Sequence, residues 1–193
     1  MKNVVLVTWI GGGNYGTSLQ SFALHKKLSD LGYKTSIVIP FFPIKHNLKS
    51  FIFSALTMFG LSKDKLKQML RGDARNVKQQ KLDRFENRYY DKKIICFPFL
   101  LHFLNKSTDV YVTGSDQIWN SDINGRIERP YYLSFAPQNK KKISFASSFG
   151  KTKLRDEEVE ENKKLLAQYS WISTREQSGA NLVQSLGLNA CLL

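Results

Sequence analysis

The sequence opens on Val4-Val5-Leu6-Val7-Thr8-Trp9, breaks at Gly11-Gly12-Gly13 and Gly16, and resumes at Thr17 with helical spacing. A run from Asn3 to Trp9 that is β-branched or apolar at nearly every position suits a strand buried on both faces, and such strands occur in parallel sheets flanked by helices. Leu19, Phe22, Ala23, Leu28 and Leu31 then fall on one helical stripe, and Gly32 closes it at a C′ position. Lys34 to Ile39 reads as a second strand. Residues 3 to 39 therefore predict a strand–helix–strand unit, right-handed if both strands share a sheet.

The alternation resumes downstream. Asp109–Thr113, Lys142–Ala146 and Trp171–Thr174 read as strands; Asp156–Tyr169 and Arg175–Leu186 read as helices, the last closed by Gly187. The final Leu188-Asn189-Ala190-Cys191-Leu192-Leu193 starts like one more strand. This pattern predicts an α/β fold, a Rossmann-like doubly wound parallel sheet spanning 1–193, with ligands gathered at the carboxyl ends of the strands near the switch point. At 193 residues, with 42% apolar and 12% aromatic side chains, the chain is long enough to fill one core.

A basic, partly apolar helical insertion is expected at about 44–106. Within it, Leu48–Leu61 is apolar on nearly every side but shorter than the roughly 20 residues a bilayer span needs. Lys45, Lys49, Lys63, Lys65 and Lys67 flank it, so it suits either a helix lying on an anionic membrane or one packed on the domain or a partner. Arg75–Tyr90 reads as a charged helix with Val77, Leu82, Phe85 and Tyr89 inward. The formal charge is +13, and 14 basic against 5 acidic residues lie between Lys45 and Lys106. That asymmetry favours an anionic partner or marks a solvated face. Nucleic acid is not expected, because no groove-reading motif accompanies the lysines.

Cys96 and Cys191 stand in apolar surroundings without C-x-x-C spacing, which argues against a disulfide framework or metal site and predicts buried thiols in a reducing compartment. Met1-Lys2-Asn3 runs straight into the first strand, leaving no room for a secretory leader. A cytoplasmic location is expected.

Three polar clusters fall at strand ends. Gly11-x-Gly13-x-x-Gly16 matches a dinucleotide loop, but the second strand ends Ile37-Val38-Ile39-Pro40 without the acid that would hold ribose hydroxyls. No Lys-Ser/Thr pair follows, which removes a P-loop. What remains is a strand-to-helix turn suited to an anion or a sugar hydroxyl, with Asn14, Tyr15, Thr17, Ser18 and Gln20 as candidate hydrogen-bonding groups, or one whose glycines serve packing alone. The second cluster, Gly114 to Asn120, presents Ser115, Asp116, Gln117 and Asn120 beside Trp119, a polar set next to an aromatic face as a sugar requires; Ser115 or Asp116 also suits a capping role. In the third, Ser147 and Ser148 follow one strand and Arg175-Glu176 the next. Arg175 is suited to a carboxylate or phosphate, or to an ion pair with a neighbouring acid.

The runs Gly13-Asn14-Tyr15-Gly16-Thr17-Ser18-Leu19-Gln20, Gly114-Ser115-Asp116-Gln117-Ile118-Trp119-Asn120, Ser144-Phe145-Ala146-Ser147-Ser148-Phe149-Gly150 and Ile172-Ser173-Thr174-Arg175-Glu176, in this order, resemble the polysaccharide pyruvyl transferase family. The resemblance implies a transferase of cell-surface polysaccharide synthesis that moves the pyruvyl group of phosphoenolpyruvate onto two sugar hydroxyls, leaving a ketal and phosphate. It implies a GT-B-like enzyme of two Rossmann-like domains, of which this chain resembles the N-terminal one. It needs no metal and no cofactor beyond the donor substrate. Asp116 becomes the candidate for contacting or deprotonating an acceptor hydroxyl, and Arg175 for binding the donor's anionic groups; Asn14, Gly16, Gln117 and Trp119 shape the pocket. The partners implied are a sugar or lipid-linked glycan acceptor at the inner face of the membrane, and a second copy or a separate C-terminal half.

Members of the family run to about twice this length, with a second domain supplying further Arg and His contacts, so the expectation is a truncated and inactive chain. The competing reading is a non-catalytic module that holds a glycan or a membrane surface, or a glycosyltransferase-like half-enzyme. The purified 193-residue chain is expected to release no phosphate from phosphoenolpyruvate and an acceptor sugar in a coupled phosphate assay; sustained release would overturn this.

Overall fold

The strand Asn3–Val7 (β1) lies inside a sheet whose strands are all parallel, as its two-sided apolar character requires. A computed structural model describes residues 1–10, 14–40, 77–90 and 93–193, with backbone alone at 77–79. Gly11–Gly13, most of the expected insertion and all of Leu48–Leu61 lie outside the described residues.

Lys34–Pro40 (β2) pairs with β1 on one side and Val110–Gly114 (β4) pairs with it on the other. Lys93–Cys96 (β3), Lys141–Ser147 (β5), Trp171–Thr174 (β6) and Cys191–Leu192 (β7) complete the order β3-β2-β1-β4-β5-β6-β7. The chain winds outward from β1 to β3, then crosses back to β4 and winds the other way. The switch point is therefore between β1 and β4, where their carboxyl ends diverge. The sequence patterning does not mark β3, which is only four residues long with Ile95 exposed.

Alternate residues of each strand serve two cores. Val4, Leu6, Ile37 and Val112 pack on one face beneath the helix Tyr15–Asp30 (α1); Val5, Val7, Val38 and Tyr111 pack on the other with Leu101, Trp119, Phe149, Leu166 and Val183. On this second face lie the 3₁₀ helix Pro98–Lys106 and the helices Asp156–Leu166 and Gln177–Ser185, with Ser121–Asn124 between β4 and β5. We label the helices α1, Val77–Tyr89 (α2), Ser121–Asn124 (α3), Asp156–Leu166 (α4) and Gln177–Ser185 (α5). Among the described residues no helix is long and apolar enough to cross a membrane.

The inward face of α1 departs from the expected apolar stripe. Ser18, Ser21, Leu24 and His25 are buried, whereas Leu19, Ala23 and Leu31 face solvent and Phe22 and Leu28 are half-buried. The reason is a polar seam to α2. The Ser18 hydroxyl donates to Glu86 Oε1 at 3.2 Å, Lys93 Nζ donates to Glu86 Oε2 at 3.2 Å, and the Tyr90 hydroxyl lies 2.6 Å from Ser21 Oγ and donates to the Ser18 carbonyl at 3.1 Å. Burial pushes the Tyr90 phenol up to about 12; the Ser21 hydrogen bond pulls it back and the Glu86 charge raises it further. Buried groups of this kind stabilise a contact only when each finds a partner, and apolar periodicity does not reveal them. Tyr89, expected inward, is exposed at its edge while its ring meets Phe22 at 5.4 Å.

At the β5–β6 junction the register slips between Ser144 and Ser147, and Ala146 takes φ 48°. Ser173 fills the gap in the ladder: its hydroxyl donates to the Ser144 carbonyl at 2.8 Å and accepts the Ala146 N–H at 2.9 Å. Both cysteines are free; Cys96 is buried, with its thiol pushed up by desolvation, while Cys191 is only half-buried, contrary to the expectation for both.

β4 ends at Gly114, with φ 121°, where a Cβ would lie 1.9 Å from the Phe145 carbonyl oxygen. No side-chain rotation relieves a clash with backbone. Gly114→Ala is expected to cost more than about 3 kcal/mol, read as loss of the cooperative thermal transition or of soluble yield.

Candidate active site

Four chain segments meet at the carboxyl edge of β1, β4, β5 and β6, and each is carried there by a strand end. α1 begins beside β1, with Asn14 as its N-cap: the side chain accepts the Gly16 N–H at 2.9 Å. No acid of α1 itself occupies its first turn, and a carboxylate reaches that turn only from the loop after β4. Asn14, Tyr15 and Gly16 are exposed at this mouth, and Thr17 is half-buried behind them.

Asp116 is the point where the segments join. Its Oδ2 accepts the Thr17 hydroxyl at 3.1 Å, its Oδ1 accepts the Gln117 N–H at 2.8 Å, and Arg175 Nη1 lies 4.0 Å from Oδ1. Its backbone carbonyl accepts the Ser148 N–H at 3.0 Å, and the Ser147 carbonyl accepts the Arg175 N–H at 3.3 Å. The carboxylate is 15% exposed and the guanidinium 42%. A partly shielded base thus stands beside an accessible cation. Arg175 precedes α5 rather than starting it, and its Nε donates to Glu176 Oε1 at 2.7 Å, which realises the ion-pair alternative left open by the sequence.

Gln20 and Ser115 satisfy one another. Gln20 Nε2 donates to Thr8 Oγ1 at 3.3 Å, and Gln20 Oε1 accepts both the Ser115 N–H at 3.1 Å and the Ser115 hydroxyl at 2.7 Å. The carboxamide therefore straps the end of β1 to the loop after β4. Thr8, fully buried beneath it, carries no motif signal and was not expected in the site.

Other expected site residues stand behind the surface rather than on it. Trp119 is 2% exposed; its ring stacks on Tyr132 at 5.4 Å, meets Phe149 at 5.1 Å, and donates through Nε1 to the Tyr131 carbonyl at 3.2 Å. It is a core side chain under the loop, with no face left for a sugar. Asn120 caps α3 and Gln117 accepts the Asn120 amide at 3.1 Å, while Ser147 and Ser148 are fully buried, Ser148 Oγ accepting the Gly150 N–H at 2.9 Å. Ser18 belongs to the polar seam with α2. Gly150 shows how closely these loops pack: a Cβ there would lie 2.4 Å from Asn120 Nδ2 and 2.7 Å from Gln117 Oε1.

Among the described residues no group of three or more His, Cys, Asp and Glu side chains could hold a metal. A cavity of about 420 Å³ lined by Leu166, Tyr169, Trp171, Ile172, Leu188 and Cys191 opens at the amino end of β6, away from Asp116, and no charged side chain lines it.

The sequence model of a family described as polysaccharide pyruvyl transferase matches residues 14–193. No curated protein and no solved structure matches the chain significantly.

Behind the site, Lys151 fastens α3 and α4 to the loop after β5. Its Nζ donates to Ser121 Oγ at 2.6 Å, Asp122 Oδ1 at 3.1 Å and Glu158 Oε2 at 3.3 Å. Burial pushes the Glu158 carboxyl up, but hydrogen bonds from Arg155, Ser121, the Arg155 N–H and Lys151 outweigh it and hold it at about 2, below the ordinary 4.5. A depressed folded-state value contributes stability that is fully present above the unfolded value and is lost as pH falls through the folded one. Glu158 is accordingly expected to contribute about 3 kcal/mol at neutral pH, lost between about pH 4.5 and 2. Glu158→Gln is expected to flatten that acid limb in urea unfolding midpoints measured against pH.

Proposed function

Because the chain belongs to the polysaccharide pyruvyl transferase family, we propose that its carboxyl-edge site binds phosphoenolpyruvate and a sugar diol for ketal formation. In that reaction the methylene carbon of the donor gains a proton and C2 becomes oxocarbenium-like. One sugar hydroxyl adds to C2, phosphate leaves, and the second hydroxyl closes the ring. Two hydroxyl protons are released, one matching the proton gained at carbon and the other leaving with phosphate. The chemistry thus asks for a base near the hydroxyls and a cation near the anionic donor.

The observation that carries this reading is the pairing of Asp116 and Arg175, 4.0 Å apart at the carboxyl edge of the sheet. Asp116, held by Thr17 and Gln117, accepts a proton from an acceptor hydroxyl. Arg175, the more exposed partner, takes the donor's carboxylate or phosphate by parallel N–H bonds. Exposed Asn14, Tyr15 and Gly16 at the positive end of α1 extend the anion-binding wall. The sheet serves as the N-terminal half of a GT-B-like cleft, working in the cytoplasm on a surface-polysaccharide precursor.

Arg175→Ala is expected to weaken phosphoenolpyruvate binding at least tenfold by isothermal titration, about 1.4 kcal/mol. Asp116→Asn removes a like charge and is expected to leave donor binding equal or tighter. Unchanged affinity in the Arg175 variant would sink the assignment.

A further inference from the structure

The guanidinium of Arg175 stands between two acids that hold it differently. A guanidinium offers two forked edges to an anion, one through Nε and Nη2 and one through Nη1 and Nη2. Glu176 Oε1 accepts from Nε at 2.7 Å, and Asp116 Oδ1 lies 4.0 Å from Nη1, so each edge already has a carboxylate beside it. Together the three residues carry one positive and two negative charges, a balance that repels an incoming anion unless one carboxylate gives way.

The two acids are not equally free to move. Asp116 is 15% exposed and anchored on both oxygens, Oδ2 by the Thr17 hydroxyl and Oδ1 by the Gln117 N–H. Glu176 is 37% exposed, and among the described residues Arg175 alone holds its carboxylate. Its backbone, by contrast, is pinned: the Glu176 carbonyl accepts the Thr174 hydroxyl at 3.1 Å, the Gly179 N–H at 3.0 Å and the Ala180 N–H at 3.2 Å. Departure from Arg175 therefore requires only rotation of the Glu176 side chain. A second berth adjoins it. Glu176 is the N-cap residue of α5, yet its side chain makes no capping bond and no acid occupies the first turn. The N–H groups of a first turn lack intrahelical partners and favour a carboxylate, so a displaced Glu176 is not stranded.

We propose that Glu176 is a displaceable carboxylate that occupies the Nε edge of Arg175 until an anionic ligand exchanges with it, and that this exchange sets the affinity threshold of the site. The proposal rests on Arg175 being the anion-binding group of the donor site. A monocarboxylate arriving at Arg175 replaces one carboxylate with another of equal charge and gains little, whereas a dianionic phosphate gains the additional charge. The internal acid thus keeps singly charged anions off the guanidinium and admits phosphorylated ones.

The test is isothermal titration of the full 193-residue chain with inorganic phosphate and, separately, with phosphoenolpyruvate, at fixed ionic strength. Glu176→Gln keeps an oxygen acceptor for Nε and removes only the charge; it is expected to tighten both anions about threefold, as loss of an exposed ion pair allows. Arg175→Ala is expected to weaken both. Asp30→Asn, which removes an exposed acid from the far end of α1, is expected to change neither. Tightening is the informative sign, because damage to the fold weakens binding instead. The proposal is overturned if the Glu176→Gln variant binds phosphate no more tightly than the wild type, or if Asp30→Asn tightens phosphate equally. It is likewise overturned if the Arg175→Ala variant binds phosphate as the wild type does, or if neither the wild type nor the Glu176→Gln variant binds either anion. If phosphate affinity responds as expected while phosphoenolpyruvate binds no more tightly than phosphate, the carboxylate exchange stands and the donor reading falls.

Discussion

The carboxylate of Asp116 is where the separate strand ends become one site. Thr17 from α1, the Gln117 N–H after β4 and the guanidinium of Arg175 after β6 all converge on two oxygens, while the Asp116 carbonyl takes the Ser148 N–H after β5. Each contact alone is worth on the order of 1 kcal/mol. Their importance is positional, because strands separated in sequence by as many as 168 residues, from Val7 to Arg175, would otherwise fix only their own loops. The burial of Trp119 under this loop supports it from below, where the aromatic stack leaves the 114–120 backbone little freedom.

The fold was largely legible. A two-sided apolar run at β1 and the mostly apolar β4 placed the centre of the parallel sheet, because strands buried on both faces advertise themselves by composition. Elements read from weaker signals went astray. β3 is short and half exposed, and the inner face of α1 carries Ser18, Ser21 and His25 beside Leu24, polar groups whose burial depends on Glu86 and Tyr90 and not on any local pattern.

The candidate site was legible as a set of positions more than as a set of roles. Asp116 and Arg175 come together, and Asn14 to Thr17 line the same mouth. Trp119, Asn120, Ser147 and Ser148 lie within the motifs yet are consumed by packing and capping, as their full or near-full burial shows. A short motif records which residue types a turn needs; it does not say which of them face the ligand. Thr8, Gly114 and Gly150 matter through contacts with segments distant in sequence, and of the three only Thr8 lay outside the recognised runs.

The Gln20 strap has a consequence for selectivity. Its carboxamide and the Ser115 hydroxyl already hold complementary partners, so a ligand reaching Ser115 exchanges hydrogen bonds instead of adding them. A hydroxyl-rich molecule makes that exchange at nearly equal free energy, whereas an apolar one of the same size strands a donor and an acceptor in a partly dry place. Rejection of the wrong molecule would then come from a bond the protein makes with itself, which works as a standing competitor for the position.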